Sequence, residues 1–190
     1  MPVSDLLVRG ADDPVRSPAR RRAWAGLALL LALLAVTADS WQAARERAHL
    51  LESVTAGERV VDASQSSIAS LAEYSAGLLY AEEVSDPART SAYGNLAEDA
   101  GRWQPRLERA RQQVSGTPVL PWHQDTRAAR RAYEQRLTAW TTLLTDFADS
   151  PQTGFGDRDG TVTASRRAAR QALLAAGLDE GRVSDLLGRV

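Results

Sequence analysis

The sequence predicts an all-α protein: an N-terminal transmembrane helix followed by an antiparallel helical bundle of about four helices. Three observations carry that prediction. An apolar run of 16 uncharged residues, 23–38, follows three consecutive arginines, Arg20, Arg21 and Arg22. Beyond it, apolar residues recur in alternating steps of three and four along most of the chain. No stretch shows the two-residue alternation of a half-buried strand. The chain divides accordingly into a cytoplasmic disordered tail (1–22), a transmembrane signal-anchor helix (23–41), an extracytoplasmic helical bundle (42–150) and a loop with a C-terminal helical segment (151–190).

The tail carries prolines, a glycine and mixed charge, the composition of a solvated terminus. The run 23–38 is rich in leucine and alanine, with Leu29 and Leu33 at its centre. As a helix it spans about 24 Å at 1.5 Å per residue. A bilayer core of about 30 Å asks for at least about 17 residues, so the run is slightly short. Trp24 and Trp41 bracket it as interfacial aromatics would, and the turn around Asp39 and Ser40 brings the helix near the required length. The arginine trio assigns the N-terminal side to the cytoplasm and everything after Asp39 to the far side. A cleavable secretory signal shares these parts, with Val36-Thr37-Ala38 fitting a small-x-Ala cleavage site. Against cleavage stand the 22-residue leader and the absence of a helix-breaking proline or glycine just before Ala38. No cysteine follows the run, which excludes a lipoprotein anchor.

Composition narrows the function classes. About 150 residues after the apolar segment suffice for a real core, and 44% hydrophobic with 25% charged residues is a globular balance. A net charge of −1 argues against a nucleic-acid binder, which would carry a basic face. Past the apolar run, 18 of the 23 basic residues face 21 of the 24 acids, and every basic residue is arginine, as a GC-rich genome favours. Without cysteine there is no disulfide, thiolate nucleophile or thiolate metal site.

The helices follow in order. Trp41, Ala44, Ala48, Leu51 and Thr55 form a first stripe; after Thr55-Ala56-Gly57 a second restarts one residue out of register, through Val61, Ser64, Ile68, Leu71, Ser75 and Leu78. Whether Gly57 bends one helix or separates two stays open at this point. Ser85-Asp86-Pro87 ends the pattern. The third stripe, Tyr93, Leu96, Ala100, Trp103, Leu107, Ala110 and Val114, keeps heptad spacing, and Pro105 inside it predicts a kink or a split. Ser115-Gly116-Thr117-Pro118 closes it. After VLPWHQD comes a fourth stripe, Tyr133, Leu137, Trp140, Leu144 and Phe147, with Asp125 suited to its N-terminus. The loop ADSPQTGFGDRDG leads to a final helix, capped by Thr163 or Ser165 and ended by Gly177. Val183, Leu186 and Leu187 predict one more short helical turn.

The chemistry-bearing residues are few. His49 and His123 are the only histidines, and no HExxH or helically spaced histidine pair exists. Glu46 precedes His49 at ExxH spacing, but di-iron bundles need a second copy, so Glu46, Glu82-Glu83 and Glu98-Asp99 read as solvated faces. In FGDRDGTVTASR, Asp157, Asp159, Gly160 and Val162 match positions three, five, six and eight of a calcium loop. Phe155 and Arg166 stand where positions one and twelve need acids, so the segment reads as a capping turn. The serines lack GxSxG and a partnered base, and no phosphate loop is present. The sequence therefore predicts no enzyme, no cofactor and no metal. Trp103 and Trp140 read as core, whereas Trp122 with His123, in an inter-helix loop, are the candidate partner contacts.

In layout the chain, over roughly 23–150, resembles the ectodomains of bacterial sensor receptors, where a transmembrane helix runs into a bundle. It departs from them in showing no second transmembrane segment and no cytoplasmic signalling domain. The expectation is a single-pass, membrane-anchored interaction or accessory subunit of a bacterial envelope complex. Its partners are the bilayer and a protein, with self-association through the heptad stripes allowed and no nucleic acid. The alternative is a secreted helical binding protein for a small or lipidic ligand, cleaved after Ala38.

Overall fold

In the computed structural model, residues 18–80 and 85–188 are described; for residues 18–23, 78 and 80 the description covers the backbone alone. The tail up to residue 17, the Glu82-Glu83 pair, and the side chains of Leu78 and of Arg20, Arg21 and Arg22 lie outside the described residues. Five α-helices and no strand are present among those described: α1 (Pro18–Tyr80), α2 (Asp86–Ser115), α3 (Gln124–Asp149), α4 (Thr161–Ala175) and α5 (Glu180–Leu187). A 3₁₀ turn at Pro151–Thr153 follows α3. The fold is all-α. The chain forms two compact units, residues 1–42 and 43–190.

Within the second unit the helices run alternately up and down. Ser53 meets Thr117 and Ser67 meets Asp99, so α1 and α2 run in opposite directions. Gln104 meets Thr145, which reverses α3 relative to α2. Val54, Glu58 and Ser64 meet Tyr133, Arg136 and Trp140 in ascending order, so α1 and α3 are parallel. Beyond α3 the chain turns back into α4, whose far end brings Gly177 beside the Arg47 guanidinium. α3 packs on both α2 and α4, and α5 packs on α4. The shared core joins Leu50, Ile68, Leu107, Leu137, Leu144 and Leu173, all essentially solvent-free.

The α2 and α3 stripes are as the sequence spacing predicts: Leu96, Ala100, Leu107, Ala110 and Val114 are buried, and so are Tyr133, Leu137, Trp140, Leu144 and Phe147. Tyr93 and Trp103 are half-buried. Pro105 lies on the exposed side of α2, and the helix continues through it.

The first half of α1 differs from expectation. Its buried row is Glu46, Leu50, Ser53, Val54, Gly57, Glu58, Val61, Ser64, Ile68 and Ser75; Trp41, Ala44 and Ala48 are exposed. This row keeps steps of three and four without a register slip, and α1 runs unbroken through Gly57. The reason is chemical. The inward row is punctuated by Glu46, Ser53, Gly57 and Glu58, so a search for apolar residues locks onto the row beside it. Gly57 stands where α3 comes closest: a Cβ there would meet the Tyr133 hydroxyl at 2.5 Å and Cε1 at 3.0 Å. Glycine costs an exposed helix roughly 1 kcal/mol, and here it makes room for a ring instead.

Gly57→Ala should therefore destabilise the protein despite alanine's better helix propensity, and lose most of that penalty in a Tyr133→Phe background. Chemical denaturation of the four combinations measures the coupling, expected above about 0.5 kcal/mol for groups in contact.

Candidate functional site

In the first unit the feature that stands out is an apolar surface. Trp24, Leu27, Leu29, Leu30, Leu31, Leu33, Leu34, Val36 and Trp41 are all exposed, the two tryptophans at 67% and 65%. Among the described residues, the most apolar 18-residue window of α1 is unburied throughout. Hydrophobic patches of this extent mark interaction or membrane surfaces. Near the N-terminus, then, α1 is long and apolar enough to cross a membrane. Thr37 and Ser40 return their hydroxyls to the carbonyls of Leu34 and Val36, so the polar end of the run satisfies itself within the helix.

In the second unit a column of polar contacts crosses the interior between α1 and α3. At its centre Arg136 forks onto Glu58: Nε donates to Oε1 at 2.7 Å and Nη2 to Oε2 at 2.6 Å. Both side chains are about 95% buried. The Tyr133 hydroxyl lies 2.9 Å from Glu58 Oε1 and 3.1 Å from the Val54 carbonyl, two acceptors for one proton. Burial, and then the negative charge of Glu58, push the Tyr133 phenol well above its ordinary value near 10. Burial pulls the Arg136 guanidinium down, but hydrogen bonding and charge from Glu58 outweigh it and hold it above its usual value. One and a half turns further along α1, Trp140 Nε1 donates to Ser64 Oγ at 2.8 Å, and Ser64 passes its own proton to the Val61 carbonyl.

The end of the column nearest the first residues of the unit holds the loop between α2 and α3. Glu46, 2% exposed, takes the Leu120 N–H on Oε1 and stands 2.6 Å from His123 Nδ1 with Oε2. One expectation is corrected here. Glu46 is not on a solvated face, because its carboxylate is the anchor that fixes the loop. The His123 side chain that it holds is 10% exposed. Its neighbour Trp122 is 62% exposed, with the His123 ring edge-on at 6.1 Å.

At the opposite end, the loop from α3 to α4 is closed by Phe155, edge-on to Phe147 at 5.2 Å and to Trp140 at 5.9 Å. Asp157 accepts the amides of Val162 and Thr163 and the Thr163 hydroxyl; Asp159 accepts the amide and hydroxyl of Thr161. Both carboxyls are thereby held below their ordinary range: at Asp157 the bonds from Thr163 and Val162 overcome a desolvation that acts the other way, and at Asp159 the Thr161 hydroxyl leads. These acids cap α4, where the sequence suggested Thr163 or Ser165. Gly160, at φ 72°, supplies the left-handed residue that starts the helix. Beside them Thr138, Thr142, Leu143 and Phe147 face Arg158 and Val162 across a groove of about 550 Å³. Among the described residues no group of three or more His, Asp or Glu side chains could hold a metal ion.

No protein-family model, no curated protein and no solved structure matches this chain. The site is thus defined by its own geometry. Sequence reasoning located the apolar segment and the turn that precedes α4, but gave the cap of α4 to Thr163 or Ser165. It missed the Glu58–Arg136–Tyr133 cluster, for which the one available signal was polar residues recurring in the inward row of α1.

Two outcomes follow from the buried cluster. Glu58→Ala strands a buried guanidinium and should cost about 3–5 kcal/mol, whereas Glu58→Leu with Arg136→Met should come out near neutral; urea titrations separate the two. The Tyr133 phenol is raised on folding, so its contribution is complete below pH 10 and drains away as pH climbs from there toward the folded value. Ultraviolet difference titration should show one of the four tyrosines ionising only together with unfolding.

Proposed function

We propose that this chain is a single-pass membrane protein, N-terminus in the cytoplasm, whose extracytoplasmic helical bundle serves as a non-enzymatic interaction or accessory subunit of a bacterial envelope complex. The observation that carries the reading is the uncovered leucine-rich surface of α1, framed by Trp24 and Trp41 and preceded by Arg20, Arg21 and Arg22. Leu27, Leu29, Leu30, Leu31, Leu33, Leu34 and Val36 together favour insertion by roughly 2–4 kcal/mol, at about 0.3–0.6 kcal/mol each. Trp24 and Trp41 stand 17 residues apart, about 26 Å along a helix, which suits the two edges of a hydrocarbon core. The arginine trio sets the orientation.

A second reading, a secreted binding protein for a small or lipidic ligand, draws support from the α3–α4 groove, whose volume falls within the usual range for ligand pockets. Against release, Val36-Thr37-Ala38 lie inside α1, whereas a protease takes its substrate in extended form. The mature N-terminus separates the readings: Met1 retained in washed membranes supports the anchor, Asp39 the secreted form. Leu31→Arg places a charge costing about 2.5–3.5 kcal/mol mid-segment, cancelling the insertion free energy. That variant should leave the membrane fraction on cell fractionation, and its retention there would count against the anchor.

A further inference from the structure

The groove between α3 and the start of α4 has a composition that selects its occupant. On α3 its wall follows helical spacing, through Gln135, Thr138, Ala139, Thr142, Leu143 and Asp146. Eleven residues separate the first from the last, about 16 Å of helix. With only threonine and alanine at 138, 139 and 142, this face does not reach the loop opposite, and about 550 Å³ is left between them. Leu143, Phe147 and Val162 give the groove an apolar floor, the last two buried. The far rim is held in place: Asp157 and Asp159 tie it to the first turn of α4, and Phe155 is wedged against Trp140 and Phe147. A preformed site loses little to ordering when a ligand arrives.

Charge then chooses the ligand. Three carboxylates line the groove, Asp146, Asp157 and Asp159, against one guanidinium, Arg158. Neither Asp146 nor Arg158 has an ion pair among the described residues. The bonds that Asp157 and Asp159 accept keep both carboxyls ionised at neutral pH. A cleft lined mainly by one sign of charge concentrates the opposite ion. That ion is organic. Among the described residues no three acids stand close enough to share a metal, while the floor favours an apolar body.

We propose that the α3–α4 groove binds a small amphipathic cation, a primary amine on an aromatic or aliphatic body, with the body on Leu143, Phe147 and Val162 and the ammonium beside Asp146. The inference takes from the second reading above only the groove as a ligand site. It lies wholly within the second unit and stands whether or not the chain is cleaved.

The full chain is placed in phosphatidylcholine nanodiscs, whose neutral surface does not gather cations by itself. The probes are phenethylamine and phenylpropionate, each with one fluorine on the ring, alike in shape and opposite in charge, and followed by fluorine NMR. The amine should bind with a Kd on the order of 1 mM and broaden its line. The carboxylate should bind about fivefold more weakly. Thr142→Trp, at an exposed position, fills the groove and should remove the broadening; Thr138→Trp does the same if that variant does not fold. Asp146→Lys should erase the preference for the amine, and a lysine in the last turn of α3 suits the helix dipole. Equal binding of the two probes overturns the proposal, and so does binding of neither, as when a second copy of the chain fills the groove. Broadening that survives both tryptophan variants, or a preference for the amine that survives Asp146→Lys, overturns it as well. None of these results bears on whether Met1 or Asp39 begins the mature chain, so the site and the anchor fail separately.

Discussion

The bidentate contact between Glu58 and Arg136 sets the register of the whole bundle. Each charge alone in this interior would cost several kcal/mol in lost hydration, so only the alignment that joins them is available. Beside Leu50, Val54, Val61 and Ile68 in the inward row of α1, Ser53, Gly57 and Ser64 offer little volume for a knob-and-hole fit. With Glu58 opposite Arg136, Val54 falls opposite Tyr133 and Ser64 opposite Trp140. Slide α1 by a turn and all three contacts break together.

How much of this was legible depended on where polarity sat. The stripes of α2 and α3 could be read directly because nearly every inward residue is apolar and the periodicity is unmixed. In α1 the inward row contains two glutamates, a serine and a glycine between residues 46 and 58, and an apolar pattern search finds the neighbouring row, Ala44, Ala48 and Leu51. Glu46 and His123 illustrate the same limit. Each looked solvated in isolation, and only the fold brings residues 77 positions apart within 2.6 Å. The segment around Asp157 and Asp159 was legible as a capping turn because helix capping acts over a few residues, but the cap itself falls to the two acids and not to Thr163 or Ser165.

α3 emerges as the hub of the second unit. One side holds the polar column shared with α1, another meets α2, and a third receives α4 and the aromatic plug at Phe155. The two ends of this helix also carry the two loops with distinctive surfaces: the tied turn bearing Trp122 at its start, and the capped turn beside the groove at its finish. A single central helix thus positions both of these surfaces.

Its central place has a consequence for biosynthesis. The face of α3 that Val162, Ala169 and Leu173 cover, with Phe147 among its residues, has no lid until the final helices have been made. Twenty-six residues separate Phe147 from Leu173, and at about 5–20 residues per second the ribosome needs roughly 1–5 s to supply them. For that interval the nascent chain carries a naked aromatic seam. Ribosomes pausing within this stretch would prolong the interval in which that seam is vulnerable to clumping.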